Sequence, residues 1–520
     1  MGFEKDPSPA EIEVDREYGL ETEHALALAK KTSDEFSSPI IKDDGDWTSG
    51  RDGRLGLVIR RLLGWGVEAR GILPVPRAQR TDRQFSKIFF IWFSANFNIL
   101  SFSAGTTGPL IFGLGLRDTC LVVLFFNLLC CIPPAYLTTW GPKLGLRQMC
   151  QARFSFGYYG AIVPSVLNLV TMSGFMILNC ILGGQTLSSV SNGHLSWSVG
   201  IVIIAFVSLF ISFCGYKILN WYERLSWLPV LVVYVVALGL GGKHLSNPSP
   251  AEPATAASIL SFASTIAGFV LTYSSLSSDF TTYLEADVSS FKIFTYSYIG
   301  FLLPIVPLQC LGAAFAVSAP LIPSWSSALS TGSVGSLFAT VLSPVGGFGK
   351  FLTVLLSLSV TANIAPTMYS FGLSFQVFVP YCARVPRFVF SVLATVIIIP
   401  LSIIGAHRFY STLTNFLGLI SYWASCFIAL VLIEHLVFRR HRFTSYDVSA
   451  YNQPQKLPLG VAALAASIMS FALVIPSMDQ VWFVGPIARH TGDIGFELAF
   501  VVTGVLYFPF RWIEFRLVGR

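Results

Sequence analysis

The chain has 520 residues, of which 53% are hydrophobic and only 12% charged, with a net charge of +6. Soluble domains carry about 25% charged residues, so this composition cannot cover a water-facing surface and excludes a soluble globular protein. The basic excess is no nucleic-acid signal either, because no basic stripe is interleaved with a soluble domain; it reads as basic residues at the cytoplasmic face of a membrane.

Residues 1–75 come first: acidic, polar and Ser-rich, with no apolar run of the signal-peptide kind. They predict a cytoplasmic N-terminal tail, largely disordered. Residues 54–72 fit either a short amphipathic helix or a tail that orders only against the body. Pro74 and Pro76 mark a turn, and residues 76–515 form the membrane domain.

A spanning helix needs about 20 apolar residues, and that rule gives about twelve candidates. Helices 1–5 lie near 89–242, helices 6–10 near 256–438 and helices 11–12 near 457–511. The segment 320–347 is Ser/Gly-rich and partly apolar, which suits a short re-entrant or surface helix. Lys and Arg crowd one set of connections, from Arg77, Arg80, Arg83 and Lys87 through Lys143 and Arg147 to Arg439 and Arg516. The opposite set holds Arg117, Lys243, Lys350, Arg408 and Arg489. The richer side is expected to be cytoplasmic, with both termini inside.

Residues 89–113 are a span with polar side chains through its middle, including Asn96, Asn98, Ser101 and Ser103. A partnerless amide in hydrocarbon costs roughly 2–7 kcal/mol, so these groups face a protein interior or a watery cavity. The run Gly105-Thr106-Thr107-Gly108-Pro109 is expected to break the helix. In the third span, Phe175 and Asn179 stand at i and i+4 on one face. A ring there can stack on a flat heterocycle while the amide reads its edge. Core packing by Phe175 and an interhelical hydrogen bond by Asn179 is the plainer use of the same pair.

The sixth span is apolar through Leu271 and then dissolves into Tyr273, Ser274, Ser275, Ser277, Ser278 and Asp279. If the chain has two five-helix halves, the first and sixth spans correspond. Matched interruptions of that kind build a midplane site from exposed backbone groups. The eighth span carries TANIAPTMYSFGLSFQ, with Asn363 three residues before Pro366. The proline loosens the turn beside the amide. Ser357, Ser359 and Thr361 precede it as candidate cation or water ligands.

Nine cysteines lie mostly in or beside apolar runs, without CxxC or His/Cys spacing, as small packers rather than metal ligands. No nucleophile elbow, P-loop or HExxH occurs, so no enzyme is expected. His194, His244, His407, His435, His441 and His490 are placed at solvated or interfacial positions. Without an ATP cradle, uphill transport requires an ion gradient.

RTDRQFSKIFFIWFSANFNILSFSAGTTGP, NCILGGQTLSSVS, YERLSWLPV, GFVLTYSSLSSDFTTYL and ANIAPTMYSFGLSFQ together resemble the fungal purine–cytosine permeases of the nucleobase–cation symporter group, over roughly residues 75–515. The resemblance implies an all-α integral membrane protein with twelve helices, a LeuT-type five-plus-five inverted repeat with discontinuous helices 1 and 6, and proton-coupled uptake at the plasma membrane. It implies a substrate site of Ser101 and Ser103 on the first helix, Phe175 and Asn179 on the third, Phe269 or Tyr273 as the opposite face of the stack, and Asn363 with Pro366 on the eighth. Asp279 and Glu285 become a cytoplasmic gate or the proton carriers, and Ser357 a candidate cation site. Leu358 stands where sodium-coupled bacterial relatives have a hydroxyl, which favours protons. Relatives read roughly Ala-Asn-Asn-Ile-Pro-Asn-Met-Tyr where this chain has Ile364, Ala365 and Thr367. Losing polar groups changes or relaxes selectivity. The reading is therefore a proton symporter for cytosine and purines such as adenine, guanine and hypoxanthine, with no cofactor beyond the gradient. A vitamin B6 carrier or a substrate-sensing receptor of the same fold are the alternatives. The expected partners are a planar heterocycle and the lipid bilayer; nothing in the sequence fixes an oligomeric state.

Overall fold

The computed structural model describes residues 71–191, 194–213, 215–245, 252–379, 381–382, 385 and 387–519. The expected disordered tail, apart from residues 71–75, and most of the 54–72 helix lie outside them. The first span is two helices, α1 (Ser86–Asn96) and α2 (Ile99–Phe112), bent by 53°. The second begins with α3 (Leu116–Cys130) and runs on through two shorter helices to Leu144. Then come α4 (Ile162–Val190) as the third span, α5 (Trp197–Phe213) as the fourth, and α6 (Gly215–Leu225) with α7 (Trp227–Gly241) as the fifth.

The sixth span is α8 (Ala256–Leu271), followed by two 3₁₀ turns, Thr272–Ser275 and Ser277–Phe280. The seventh is α9 (Ser290–Ser318), and the eighth joins α10 (Gly346–Leu358) to α11 (Thr361–Phe378). The last four are α12 (Arg387–Gly405), α13 (Phe409–Ile433), α14 (Val461–Val474) and α15 (Gly495–Val518). The apolar stretch Phe388–Phe438, 51 residues long, is enough for two crossings at about 20 residues each. Helices α5 and α14 are mostly apolar but shorter than a full crossing. By length and composition the described residues hold eight spans, or nine with the bent first pair; counting Phe388–Phe438 as two and adding α5 and α14 gives twelve. A small hairpin, Asp479–Gln480 with Phe483–Val484, interrupts the helical pattern between the last two.

In a bilayer every backbone group needs an internal partner, which is why apolar runs become helices and breaks occur only where protein surrounds them. The expected break at Gly105–Pro109 is corrected here: those residues are helical, and the chain breaks at Phe97–Asn98 instead. The glycines serve packing. A Cβ on Gly105 would lie 1.9 Å from the carbonyl oxygen of Gln309 on α9, and one on Gly312 would lie 2.0 Å from that of Phe102 on α2. Each helix thus offers a glycine to the other's backbone, the small-residue contact by which membrane helices approach closely. Pro109 lies inside the last turn of α2, where the helix continues without its amide donor.

Residues 320–347 form two short helices, Pro323–Ser330 and Val334–Leu342. They are pinned by buried Trp325 and Phe338, and Trp325 stacks on Phe315 of α9 at 5.2 Å. His435 departs from the solvated position expected of it. It is buried, its ring 4.5 Å from that of Trp140, with Nδ1 3.2 Å from the Tyr446 hydroxyl. A π-helical turn over Glu434–Phe438 carries it inward rather than to the rim.

Candidate functional site

The first span breaks because Asn98 caps both pieces. Its backbone is extended, with φ −145° and ψ 175°. Its side-chain oxygen accepts from the amides of Leu100 (2.8 Å) and Ser101 (3.1 Å), the orphan donors at the start of α2. Its Nδ2 donates to the Ala95 carbonyl at 2.7 Å, one of the orphan acceptors at the end of α1. One asparagine therefore makes an unwound segment tolerable in the middle of a membrane.

Around that break, amides from other spans converge. Asn179 on α4 donates through Nδ2 to the Phe175 carbonyl (2.8 Å) and to Asn363 Oδ1 on α11 (2.9 Å). Asn363 donates through its own Nδ2 to the Ala95 carbonyl (2.8 Å) and to the Tyr273 hydroxyl (2.9 Å). Tyr273, in the 3₁₀ turn after α8, donates onward to Asn96 Oδ1 at 3.0 Å. Spans one, three, six and eight are joined by one hydrogen-bonded chain, and all its members are buried. Asn179 Oδ1 is buried without a partner among the described residues, an acceptor available to a bound molecule.

Aromatic rings line the same place. Phe175 lies 6.2 Å from Tyr273 with planes 29° apart, and meets Phe269 edge-on at 6.1 Å. Phe416 of α13 adds a third ring at 5.6 Å, one that sequence reasoning missed because a phenylalanine in an apolar run carries no signal. Asn96 and Asn98 were legible as polar interruptions but not as the cap and the hydrogen-bond terminus they prove to be.

Other expected residues are placed as follows. Ser101 spans the break, its hydroxyl donating to the Asn96 carbonyl at 2.5 Å. Ser103 is two residues further on, and its hydroxyl is committed to the Ile99 carbonyl at 2.8 Å, outside the chain of amides. Pro366 sits inside α11, but the carbonyl of Asn363 is not left free beside it, because the Thr367 hydroxyl takes it at 2.7 Å. Ser357 is buried with its hydroxyl unpartnered among the described residues, and Ser359 accepts from the Ile99 amide at 3.3 Å. The side-chain amides of Gln185 and Gln376 donate to the Ala406 and Val385 carbonyls.

Asp279 and Glu285 lie on the side where the basic segment before α1 meets the segment after the sixth span. Asp279 accepts from the Gln148 amide (2.9 Å), while Arg147 donates to its backbone carbonyl (2.5 Å). Glu285 pairs with Arg83 at 2.8 Å and Asp287 with Arg77 at 2.6 Å, both exposed. The Arg77 guanidinium holds the Asp287 carboxyl below the usual carboxylate range. Asp82 and Leu284 form a parallel bridge. Arg80 donates to the carbonyls of Val75, Pro142, Lys143 and Leu144 at 2.8–3.1 Å. This face of the molecule is shut.

The family described as permeases for cytosine/purines, uracil, thiamine and allantoin matches residues 74–498. The purine-cytosine permease fcyB of Emericella nidulans is 35% identical over 97% of this chain and 99% of its own length. The purine-cytosine permease FCY21 of Saccharomyces cerevisiae is 33% identical over 90% of each chain. Among solved structures, Mhp1, a nucleobase-cation-symport-1 family transporter in a closed conformation with bromovinylhydantoin bound, superposes with a TM-score of 0.67. It covers 86% of this chain and 96% of its own at 15% identity, a likeness of fold.

Proposed function

We propose, from the premise that the chain belongs to the family of permeases for cytosine/purines, uracil, thiamine and allantoin, that it imports cytosine and purines by proton-coupled alternating access. It is a multi-pass membrane transporter and not an enzyme. The plasma membrane is its expected location, with both termini in the cytoplasm.

The observation that carries the substrate reading is the Asn179–Asn363–Tyr273–Asn96 chain beside Phe175 and Phe269. A carboxamide donates and accepts at once, as the edge of a nucleobase demands. A base entering between the rings takes over the hydrogen bonds the amides make to each other, so the exchange is nearly even in number. The stacking area is then the gain, and aromatic pairs contribute about 0.5–1.5 kcal/mol beyond burial. Buried apolar Ile364 and the Thr367 hydroxyl, turned back to its own helix, leave the reading of the edge to Asn363 and Asn179.

The latch between Arg80, Arg83, Glu285 and the end of the second span supports alternating access. The cytoplasmic route opens when those contacts part. The test is uptake of labelled cytosine, hypoxanthine and pyridoxine in a strain lacking its own carriers, with and without a protonophore. Saturable, protonophore-sensitive uptake of cytosine or hypoxanthine is expected. Uptake of pyridoxine alone would replace the substrate reading, and binding without uptake would replace transport by sensing.

A further inference from the structure

Glu223 lies in α6, at the start of the fifth span, and is fully buried. Both of its carboxyl oxygens are buried, and neither has a hydrogen-bond partner among the described residues. Its backbone carbonyl accepts a hydrogen bond from the hydroxyl of Ser94 on α1. The neighbouring Tyr222 hydroxyl is bonded to Thr361 at the start of α11. Glu223 therefore sits where the inner half of the first span, the fifth span and the eighth span meet, three residues of α1 before the break at Phe97–Asn98.

Among the described residues no charge is placed to neutralise it. The elements packed on α6 are α1, α5, α7 and α11. Their ionisable residues are Lys87, Tyr234 and Tyr369. Lys87 is held by Asp82 at 2.7 Å, and tyrosines ionise near pH 10. On α6 itself stand Tyr216, Lys217, Tyr222 and Arg224, the last directed at Gln84 Oε1 at 3.4 Å. An ionised carboxylate without partner or water is very costly in such a place, whereas the neutral acid is tolerable. Asp279 and Glu285 differ in kind: each has a hydrogen-bond donor on its carboxylate and an arginine beside it.

We propose that Glu223 is the binding site of the coupled proton. The closed inner face holds it as the carboxylic acid, packed against α1. When α1 and α6 part, water reaches it from the cytoplasm. The O–H bond breaks, the proton leaves on water as hydronium, and the electron pair stays on the carboxylate. The empty carrier closes its inner face again and opens outward, and the carboxylate takes a proton from water on the outer side before the next substrate enters. Protonation is thereby tied to the movement of α1, which carries the Ala95 and Asn96 contacts of the substrate site. This rests on the proton-coupled reading above.

The test uses purified protein in liposomes with an imposed pH gradient and labelled hypoxanthine or cytosine. One proton per substrate supports about tenfold accumulation per pH unit. Glu223→Gln, which mimics the neutral acid, is expected to bring accumulation down to unity while still exchanging labelled for unlabelled substrate. Glu223→Asp is expected to accumulate with a displaced pH dependence. Accumulation by both variants with the wild-type pH dependence overturns the assignment and leaves proton coupling standing. Wild-type uptake indifferent to the gradient overturns coupling itself, and Glu223 with it.

Discussion

Asn179 donates its side-chain amide to the side-chain carbonyl of Asn363 at 2.9 Å, across the third and eighth spans and beside the point where the first span loses its helix. Neither residue is a surface feature, and neither bond is needed to close a helix. The bond leaves Asn179 Oδ1 without a partner among the described residues, so the pair is not saturated and keeps an acceptor for a ligand's edge under the proposed function.

Asn363 is the hub of that arrangement, with donors to Ala95 and Tyr273 and an acceptor for Asn179. Asn363→Ala leaves several buried polar groups short of partners, each worth about 1–3 kcal/mol. Uptake of labelled hypoxanthine is expected to fall by at least about 100-fold, roughly 3 kcal/mol, with the protein still reaching the membrane. Normal saturable uptake by a correctly located variant would remove the site from this position.

The glycine contact between α2 and α9 makes a prediction about stability rather than transport. Gly105→Ala places a methyl 1.9 Å from the Gln309 carbonyl oxygen, and backbone does not yield as a side chain does. Overpacking of that kind costs about 1–3 kcal/mol or more, and the detergent-solubilised variant is expected to melt several degrees lower. Gly239→Ala on α7, with nothing within 4 Å of its Cβ, is the control. It is expected to be neutral or slightly stabilising, since alanine favours helix by about 1 kcal/mol. Equal melting of both variants would mean the two helices are not in that register.

Much of the site was legible because buried polarity in a membrane helix needs a reason. The loss of helix after Leu271, the Phe175–Asn179 spacing and Asn363 before Pro366 all stood out against apolar surroundings, and the structure brings them together. The position of the first break was not legible. Glycine and proline mark breaks in water, but between membrane helices glycine also marks close approach, and Gly105 does the latter. The actual break depends on Asn98 bonding to both flanking pieces, which spacing alone does not reveal. Glu285 was expected as a gate residue, but its partner was not legible: Arg83 and Glu285 are separated by 202 positions, and only the fold brings them to one rim.

Arg80 is expected to matter more to that latch than the exposed ion pairs. The Arg77–Asp287 and Arg83–Glu285 pairs lie in water, where screening and side-chain entropy leave such pairs little net contribution. Arg80 is half-buried and holds four carbonyls, three of them from Pro142, Lys143 and Leu144 at the end of the second span. Hydrogen bonds from a charged donor contribute about 1.5–3 kcal/mol, so Arg80→Ala is expected to shift this closed face toward opening by about tenfold or more. The measurement is alkylation of Ser278→Cys by a membrane-impermeant maleimide applied from the side of the membrane on which Arg80 lies. Position 278 is buried under Leu137 in the closed form and should react faster in the Arg80→Ala background. Equal rates would show that Arg80 does not hold this face shut.

Asp493, in the connection leading into α15, gives stability a pH dependence of unusual sign. Its carboxylate accepts from the Tyr422 hydroxyl, Gln480 Nε2 (3.2 Å) and the amides of Asp479 (3.2 Å) and Gly495 (2.9 Å). Burial nevertheless outweighs those donors and pushes its pKa up from 3.8 to about 6. Between those values the folded state keeps a proton that the unfolded chain has released. Because the folded state then binds more protons, stability falls as pH rises through this window. The contribution is complete below pH 3.8 and is lost by about pH 6. At about 1.4 kcal/mol per unit, the full effect is of order 2–3 kcal/mol. Asp493→Asn keeps a neutral acceptor in place and removes the titration. The melting temperature of the variant between pH 4 and 7 is expected to run flatter than that of the wild type. The two diverge most at the upper end, where the substituted amide carries no charge to bury. Parallel curves for the two proteins would place the titration elsewhere.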